Sequence, residues 1–142
     1  RKHLTQRAQL PLVLAWAAEA ELALGERTAA LATAREAIDL GRTGGCRYFE
    51  AQVQLALAAA LLATAGVVPR AEIESALERA EQLVESIEGR SLSPRILEQR
   101  GRLAAACGDA PAANRALQEA RDLYRAIGAT GHAERLAREL GT

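Results

Sequence analysis

Three glycines divide this chain into units of nearly equal length. Gly25 stands in LALGERTAAL, Gly66 in LATAGVVPRA and Gly108 in AACGDAPAAN, at spacings of 41 and 42 residues. Each follows an apolar run of helical spacing and precedes a second one. Glycine supplies the left-handed residue that ends a helix, so each motif predicts the turn of a helix–turn–helix unit. A period in this range points to stacked helix pairs, in which each unit buries its apolar face against its neighbours.

Other positions keep the same register. Eleven residues before each glycine stand Leu14, Leu55 and Leu97, and seven before stand Ala18, Ala59 and Gly101. Small residues at fixed places let two helix backbones approach closely. The second unit needs a five-residue insertion at 67–71. After it, Ala76, Leu77, Ala80, Leu83 and Val84 match Ala30, Leu31, Ala34, Ala37 and Ile38, which is one face of a helix. Seven helices are expected, over about 11–24, 27–40, 47–65, 71–87, 94–107, 110–127 and 131–140. Pro11 and Pro94 suit first-turn positions; Ser93, Asp109 and Thr130 suit caps. Residues 1–10 are expected to be the tail of a preceding helix. Residues 11–142 form one all-α domain, an α-solenoid of tetratricopeptide-like pairs with units at 11–41, 47–88 and 93–128 and a capping helix at 130–141.

Composition agrees with helices and excludes strands. Alanine occurs 33 times and leucine 21 times among 142 residues, whereas valine and isoleucine together number ten and aromatics four. Eighteen basic residues balance 18 acidic ones, so no overall basic excess invites nucleic acid. The longest apolar stretch, 53–68, is interrupted by Gln54, Thr64 and Gly66 and is too short to cross a bilayer. No secretory signal is present, and a cytoplasmic setting follows. Methionine is missing altogether, so the chain is expected to be part of a longer parent.

Chemistry is sparse. Cys46 and Cys107, 61 residues apart, fit neither a disulfide framework nor a zinc site and are expected to pack as small apolar residues. Gly44 and Gly45 lack the lysine of a phosphate loop and are assigned to a helix-to-helix turn. His3 and His132 have no carboxylate or cysteine at ligand spacing, and His132 is expected to be an exposed structural residue. Glu72, Glu74, Glu78, Glu81, Glu85 and Glu88 lie opposite an apolar stripe and form a solvated face. No catalytic residue, cofactor or metal ligand is assigned.

The remaining place for function is the surface made by the first helix of each unit. At fixed offsets from the glycines, Leu12, Val53 and Arg95 correspond, as do Ala15, Ala56 and Glu98, and Glu19, Ala60 and Arg102. The stripe runs from mixed through wholly apolar to charged. One interpretation is a groove, with Val53, Ala56 and Ala60 as its apolar strip, Leu12 extending it on one side, Arg95, Glu98 and Arg102 as its charged rim on the other, and Glu19 in the mixed part of the stripe. The other is that a neighbouring helix covers the apolar part as core.

Three segments carry a family resemblance: AREAIDLGRTGGCRYFEAQVQLALAAALL, SLSPRILEQRGRLAAACGD and ALQEARDLYRAIGATGHAERLAREL. The last contributes Leu117, Ala120, Leu123, Tyr124, Gly128, Ala129, His132, Ala133, Leu136 and Leu140. They resemble tetratricopeptide-like repeats, and more specifically the C-terminal repeat region of bacterial class III adenylate/guanylate cyclases that carry an ATPase module. Similar repeats occur in large ATP-binding regulators ending in a LuxR-type DNA-binding domain. The resemblance implies a non-catalytic interaction or sensing arm of a larger bacterial signalling protein, with cyclase and ATPase motifs lying outside these residues. The implied partner is a protein, a peptide or another domain of the parent, with no nucleic acid or membrane bound by this chain; a homodimer is also allowed. A small-molecule-sensing helical domain is the rival from a different class.

Overall fold

The computed structural model describes residues 2–44, 46–63, 68–87 and 90–141. They form seven α-helices: α1 (Lys2–Ala23), α2 (Arg27–Gly44), α3 (Arg47–Leu62), α4 (Arg70–Ile87), α5 (Ser93–Ala106), α6 (Ala110–Ala126) and α7 (Thr130–Leu140). A short 3-10 turn, Arg90–Leu92, leads into α5. No strand occurs among the described residues.

The turns follow the glycines. At Gly25 the chain takes φ +79°, and the Glu26 amide donates to the Glu21 carbonyl at 2.8 Å while Gly25 donates to Leu22. This double closure satisfies the last carbonyls of α1, and only glycine enters that backbone region without strain. Gly108, at φ +83°, repeats the arrangement between α5 and α6, with Asp109 donating to Ala104. A third copy at Gly128 joins α6 to α7. Gly66 and Gly45 lie outside the described residues, as does the first residue of the insertion expected at 67–71; of the rest, Arg70 and Ala71 already belong to α4.

Several boundaries differ from expectation. α1 runs without interruption from Lys2, so Pro11 lies inside the helix rather than in its first turn. Residues 2–10 hold no glycine or second proline, and an interior proline removes one hydrogen bond without having to end the helix. Asp109 caps α6 as expected, its carboxylate accepting from the Ala112 amide at 3.1 Å. Ser93 and Thr130 are each the first helical residue, one place beyond the caps Leu92 and Ala129.

Each helix packs mainly on its neighbours in sequence. The pairs α1–α2, α3–α4 and α5–α6 are the tightest, α3 lies against both α1 and α2, and α5 lies against α3 and α4. α3 is central and is buried almost all the way round, from Ala51 and Val53 through Leu61. A helix covered on most sides is apolar on most sides, as the run from Leu55 to Leu62 is. Of the small residues in the repeat register, Ala18, Ala34, Ala37 and Ala80 are fully enclosed and permit close approach, whereas Ala59 is partly exposed and its neighbour Ala58 is enclosed instead. The main core spans α1 to α5, and a smaller one, with Leu117, Ala120, Tyr124, Ala133 and Leu136, joins α6 to α7. Glu74, Glu78, Glu81 and Glu85 are exposed on α4, as a solvated face requires; Glu72 is half-buried, and Glu88 lies outside the described residues.

Candidate functional site

The stripe expected on the first helices divides into two parts. Val53, Ala56 and Ala60 are fully buried, so they line no groove. They belong to the core where α3 meets its neighbours. The side of α3 that looks outward is one residue away: Gln52 and Ala59 are partly exposed, and Leu62 and Ala63 continue them. One residue turns a helix by 100°, enough to carry a stripe from the surface into the core. Leu12 is half-buried on α1.

The charged residues, in contrast, converge. Arg95, Glu98 and Arg102 share one face of α5, and together they reach α1, α3, α6 and α7. Arg95 donates to Glu19 of α1 at 2.6 Å and to Gln52 of α3 at 2.5 Å. Glu98 accepts both guanidinium arms of Arg135 on α7, at 2.8 and 3.1 Å, and the Tyr124 hydroxyl of α6 at 3.0 Å. Arg102 pairs with Glu98 at 3.4 Å and, through both its terminal nitrogens, with Glu139 of α7. His132 stacks on Tyr124, with ring centroids 4.8 Å apart, and one of its nitrogens lies 3.1 Å from Arg135. His132 is exposed, as expected, but it is part of this cluster.

Gln52, Arg135 and Glu139 were not singled out from sequence, and Tyr124 was named only for the family resemblance. A signal for Arg135 and Glu139 was present. His132, Arg135 and Glu139 follow Arg95, Glu98 and Arg102 by a constant 37 residues, with the charges of the last two positions inverted. Equivalent positions on the two helices therefore carry complementary groups.

The electrostatics follow from this geometry. Burial would raise the pKa of Glu98, but the hydrogen bonds and charge of Arg135, the Tyr124 hydroxyl and the charge of Arg102 outweigh it and hold the carboxylate below its ordinary range. The Arg102 guanidinium draws Glu139 down in the same way. Arg102 and Arg135 are pushed up by their carboxylate partners. Burial, then the Glu98 charge, raises the Tyr124 phenol far above its usual value. Three guanidiniums face three carboxylates, and charge is balanced within the cluster. Glu98 is held ionised, with its oxygens occupied, so it is not poised to shuttle protons. The cluster can order a surface and present hydrogen-bonding edges.

A linked stability follows. The Glu98 pKa is depressed on folding, so its contribution is fully present above the ordinary carboxylate value of 4.5 and is lost as pH falls through the lower folded value. Glu98→Gln is expected to destabilise the fold by about 1–3 kcal/mol at neutral pH, since Arg135 loses its counter-charge and Arg102 keeps only Glu139. In urea titrations at successive pH values, that gap closes below pH 4.5. A gap that stays constant down to acid pH would show that the carboxylate is unpaired.

Two hollows border the cluster. One, of about 270 Å³, is lined by Glu19, Arg95, Glu98, Gln99, Tyr124 and Arg135. The other lies beside Ala59, Leu62 and Ala106. Gln99 touches both; its amide donates to the Leu55 carbonyl at 3.0 Å, and its Oε1 is buried without a donor among the described residues. On another side of the molecule, α2, α3 and α4 enclose a valley of about 850 Å³, crossed by the Arg35–Glu72 ion pair, with the buried Gln54 in its lining. Cys46 is half-buried and Cys107 exposed, both as free thiols, so Cys107 does not pack as a small apolar residue. It falls at the end of α5, where the chain turns outward. Among the described residues no cluster of His, Cys, Asp and Glu could hold a metal ion, and no helix is long and apolar enough to cross a membrane.

The fold and the site define an all-helical protein of sequentially packed helices with a charge-paired surface lattice on its odd-numbered helices. No family model, curated protein or solved structure matches the chain.

Proposed function

We propose that this chain is a non-catalytic interaction module, an α-solenoid of tetratricopeptide-like repeats carried by a larger bacterial signalling protein, in the first instance an adenylate or guanylate cyclase with an ATPase module. The observation that supports it best is the alignment of successive odd-numbered helices. Arg95 meets Gln52 43 residues earlier, and Glu98 and Arg102 meet Arg135 and Glu139 37 residues later. Such side-by-side register produces an extended surface spanning α1, α3, α5 and α7 rather than one deep pocket. An extended surface with a fixed pattern of charges suits a peptide or a partner helix: the exposed edges of Arg95 and Arg102 set register, and the apolar ground at Ala59 and Leu62 supplies contact. The repeat family and the cyclase parent rest on the segment resemblance described above.

The test is selection from a peptide display library with the chain as bait. Binders are expected whose affinity falls with salt and falls further in Arg95→Ala and Arg102→Ala. Binders indifferent to both variants would place recognition elsewhere. One observation favours a second reading, a small-molecule sensor: the unsatisfied Gln99 Oε1 beside a hollow of about 270 Å³. A thermal-shift screen against nucleotides and metabolites separates the two, because a ligand at 100 times its Kd stabilises by about 2.7 kcal/mol. A specific hit that Gln99→Leu abolishes would decide for the sensor.

A further inference from the structure

Gln54 is a polar side chain at a packing position. Its equivalents in the repeat register, Val13 and Ile96, are apolar, and its neighbours on α3, Val53 and Leu55, are fully enclosed. Gln54 itself is only 6% exposed. Its amide has no hydrogen-bond partner among the described residues, and what little of it is exposed opens into the valley between α2, α3 and α4. A buried amide without a partner costs stability that an aliphatic side chain at the same place would not. The valley lies between the second helices of two successive units, both inside the chain, and is not an end on which a further unit would stack.

The rest of the valley defines what this amide faces. Arg35 and Asp39 come from α2, Glu50 from α3, and Glu72 and Arg79 from α4. Arg79 spends two nitrogens on one oxygen of Glu50, Oε1, each at 3.1 Å. Arg35 holds Oε1 of Glu72 at 2.7 Å. The Oε2 atoms of both glutamates accept from no described donor, and neither does the Asp39 carboxylate. Three carboxylates against two guanidiniums leave one negative charge in excess, and all three carboxylates keep open acceptor sites. Ile38 and Leu57 form an apolar wall beside them, with Leu57 one turn along α3 from Gln54 on the same face. An anion entering here would have to displace a carboxylate from Arg35 or Arg79. A cation displaces nothing.

We propose that this valley binds an organic monocation, an ammonium or guanidinium group on a short apolar stem. The head donates to the Gln54 carbonyl oxygen and the Asp39 carboxylate and neutralises the spare charge, while the stem lies along Ile38 and Leu57. Such a head comes either from a free amine or from a lysine or arginine side chain. Neither Arg95 nor Arg102 lines the valley, so the site is independent of the surface on α5 and of its peptide partner.

The experiment titrates the full chain with n-butylguanidinium, n-butylammonium, N-acetylarginine methylamide and, as the neutral control, n-butanol. Binding is followed by NMR of the Gln54 side-chain amide and the backbone amides of the valley. Saturable shifts at Gln54 are expected with the cations and not with butanol, and they weaken with salt. Asp39→Asn should weaken binding about tenfold or more at an unchanged melting temperature, because Asp39 is exposed and unpaired in the ligand-free chain. Gln54→Leu should abolish the shifts at the valley backbone and raise the melting temperature of the ligand-free chain. A capped arginine that binds more tightly than the bare guanidinium supports the site with a peptide side chain as its source; a bare stem that binds as tightly or more tightly supports it with a free amine. The proposal is overturned if no cation binds saturably, or if Asp39→Asn binds like the parent. It is equally overturned if Gln54→Leu melts below the parent, since the amide would then already be engaged within the fold.

Discussion

Val53→Glu is expected to lower stability by about 3–5 kcal/mol, the largest single effect foreseen in this protein. Val53 is fully enclosed on the central helix α3. A glutamate there either buries an ionised carboxylate with no counter-ion or takes up a proton and still leaves a polar group unsatisfied. Domains of this size have about 5–15 kcal/mol in total, so the urea midpoint should fall by a large fraction. Had the Val53, Ala56 and Ala60 stripe been a groove, the same variant would have melted normally and lost only its partner. A melting curve indistinguishable from the parent's would return the stripe to the surface and remove α3 from the centre of the core.

Gly101→Leu comes second. A Cβ placed on Gly101 would meet Leu117 Cγ at 2.9 Å and Cδ2 at 3.0 Å, with the Ala113 carbonyl oxygen at 3.3 Å. Two effects oppose each other. Replacing an interior helix glycine gains about 1 kcal/mol of helix propensity. Overpacking against a neighbouring helix costs about 1–3 kcal/mol, and more where backbone has to move. For alanine these nearly cancel, because Leu117 can yield by a few tenths of an ångström. For leucine the added bulk has nowhere to go between α5 and α6, and a net loss of about 1–3 kcal/mol is expected. Leu117→Ala should recover part of that loss, since the two sites touch and their effects are not additive. If leucine at this site leaves the urea midpoint unmoved, α5 and α6 do not cross at Gly101.

Much of this architecture was legible in the residues. Gly25 and Gly108 marked turns because a left-handed residue at a helix end is a local requirement, met whatever packs nearby. Asp109 was recognisable as a cap for the same reason. The small residues Ala18 and Gly101 signalled close crossings, and both are buried. The helix count and most boundaries followed from spacing. The boundary at Pro11 did not, because proline is compatible with both a first turn and an interrupted hydrogen-bond ladder, and sequence cannot say which.

The candidate site was half legible. Arg95, Glu98 and Arg102 were selected as one charged rim and Glu19 as a position of the same stripe, and the structure brings all four together. What it added is that the rim is paired to Gln52, Tyr124, Arg135 and Glu139, residues that lie 26 to 43 positions from their partners on α5. The apolar floor was misplaced by a single residue. In the later part of α3, where alanine and leucine run together from Leu55 to Leu62, hydrophobic spacing has no direction, and nothing local distinguishes Ala59 from Ala60; the two glutamines do not help, since Gln52 is partly exposed but Gln54 is buried.

The sequence by itself determined that this protein is helical, where its helices turn and which small residues meet at their crossings. These depend on backbone preferences and on side-chain size within a few residues of one another. Only the tertiary structure decided which side of α3 is core and which charges neutralise one another. Those outcomes depend on the rotation of one helix against another, and 100° per residue turns the smallest ambiguity in register into a different surface.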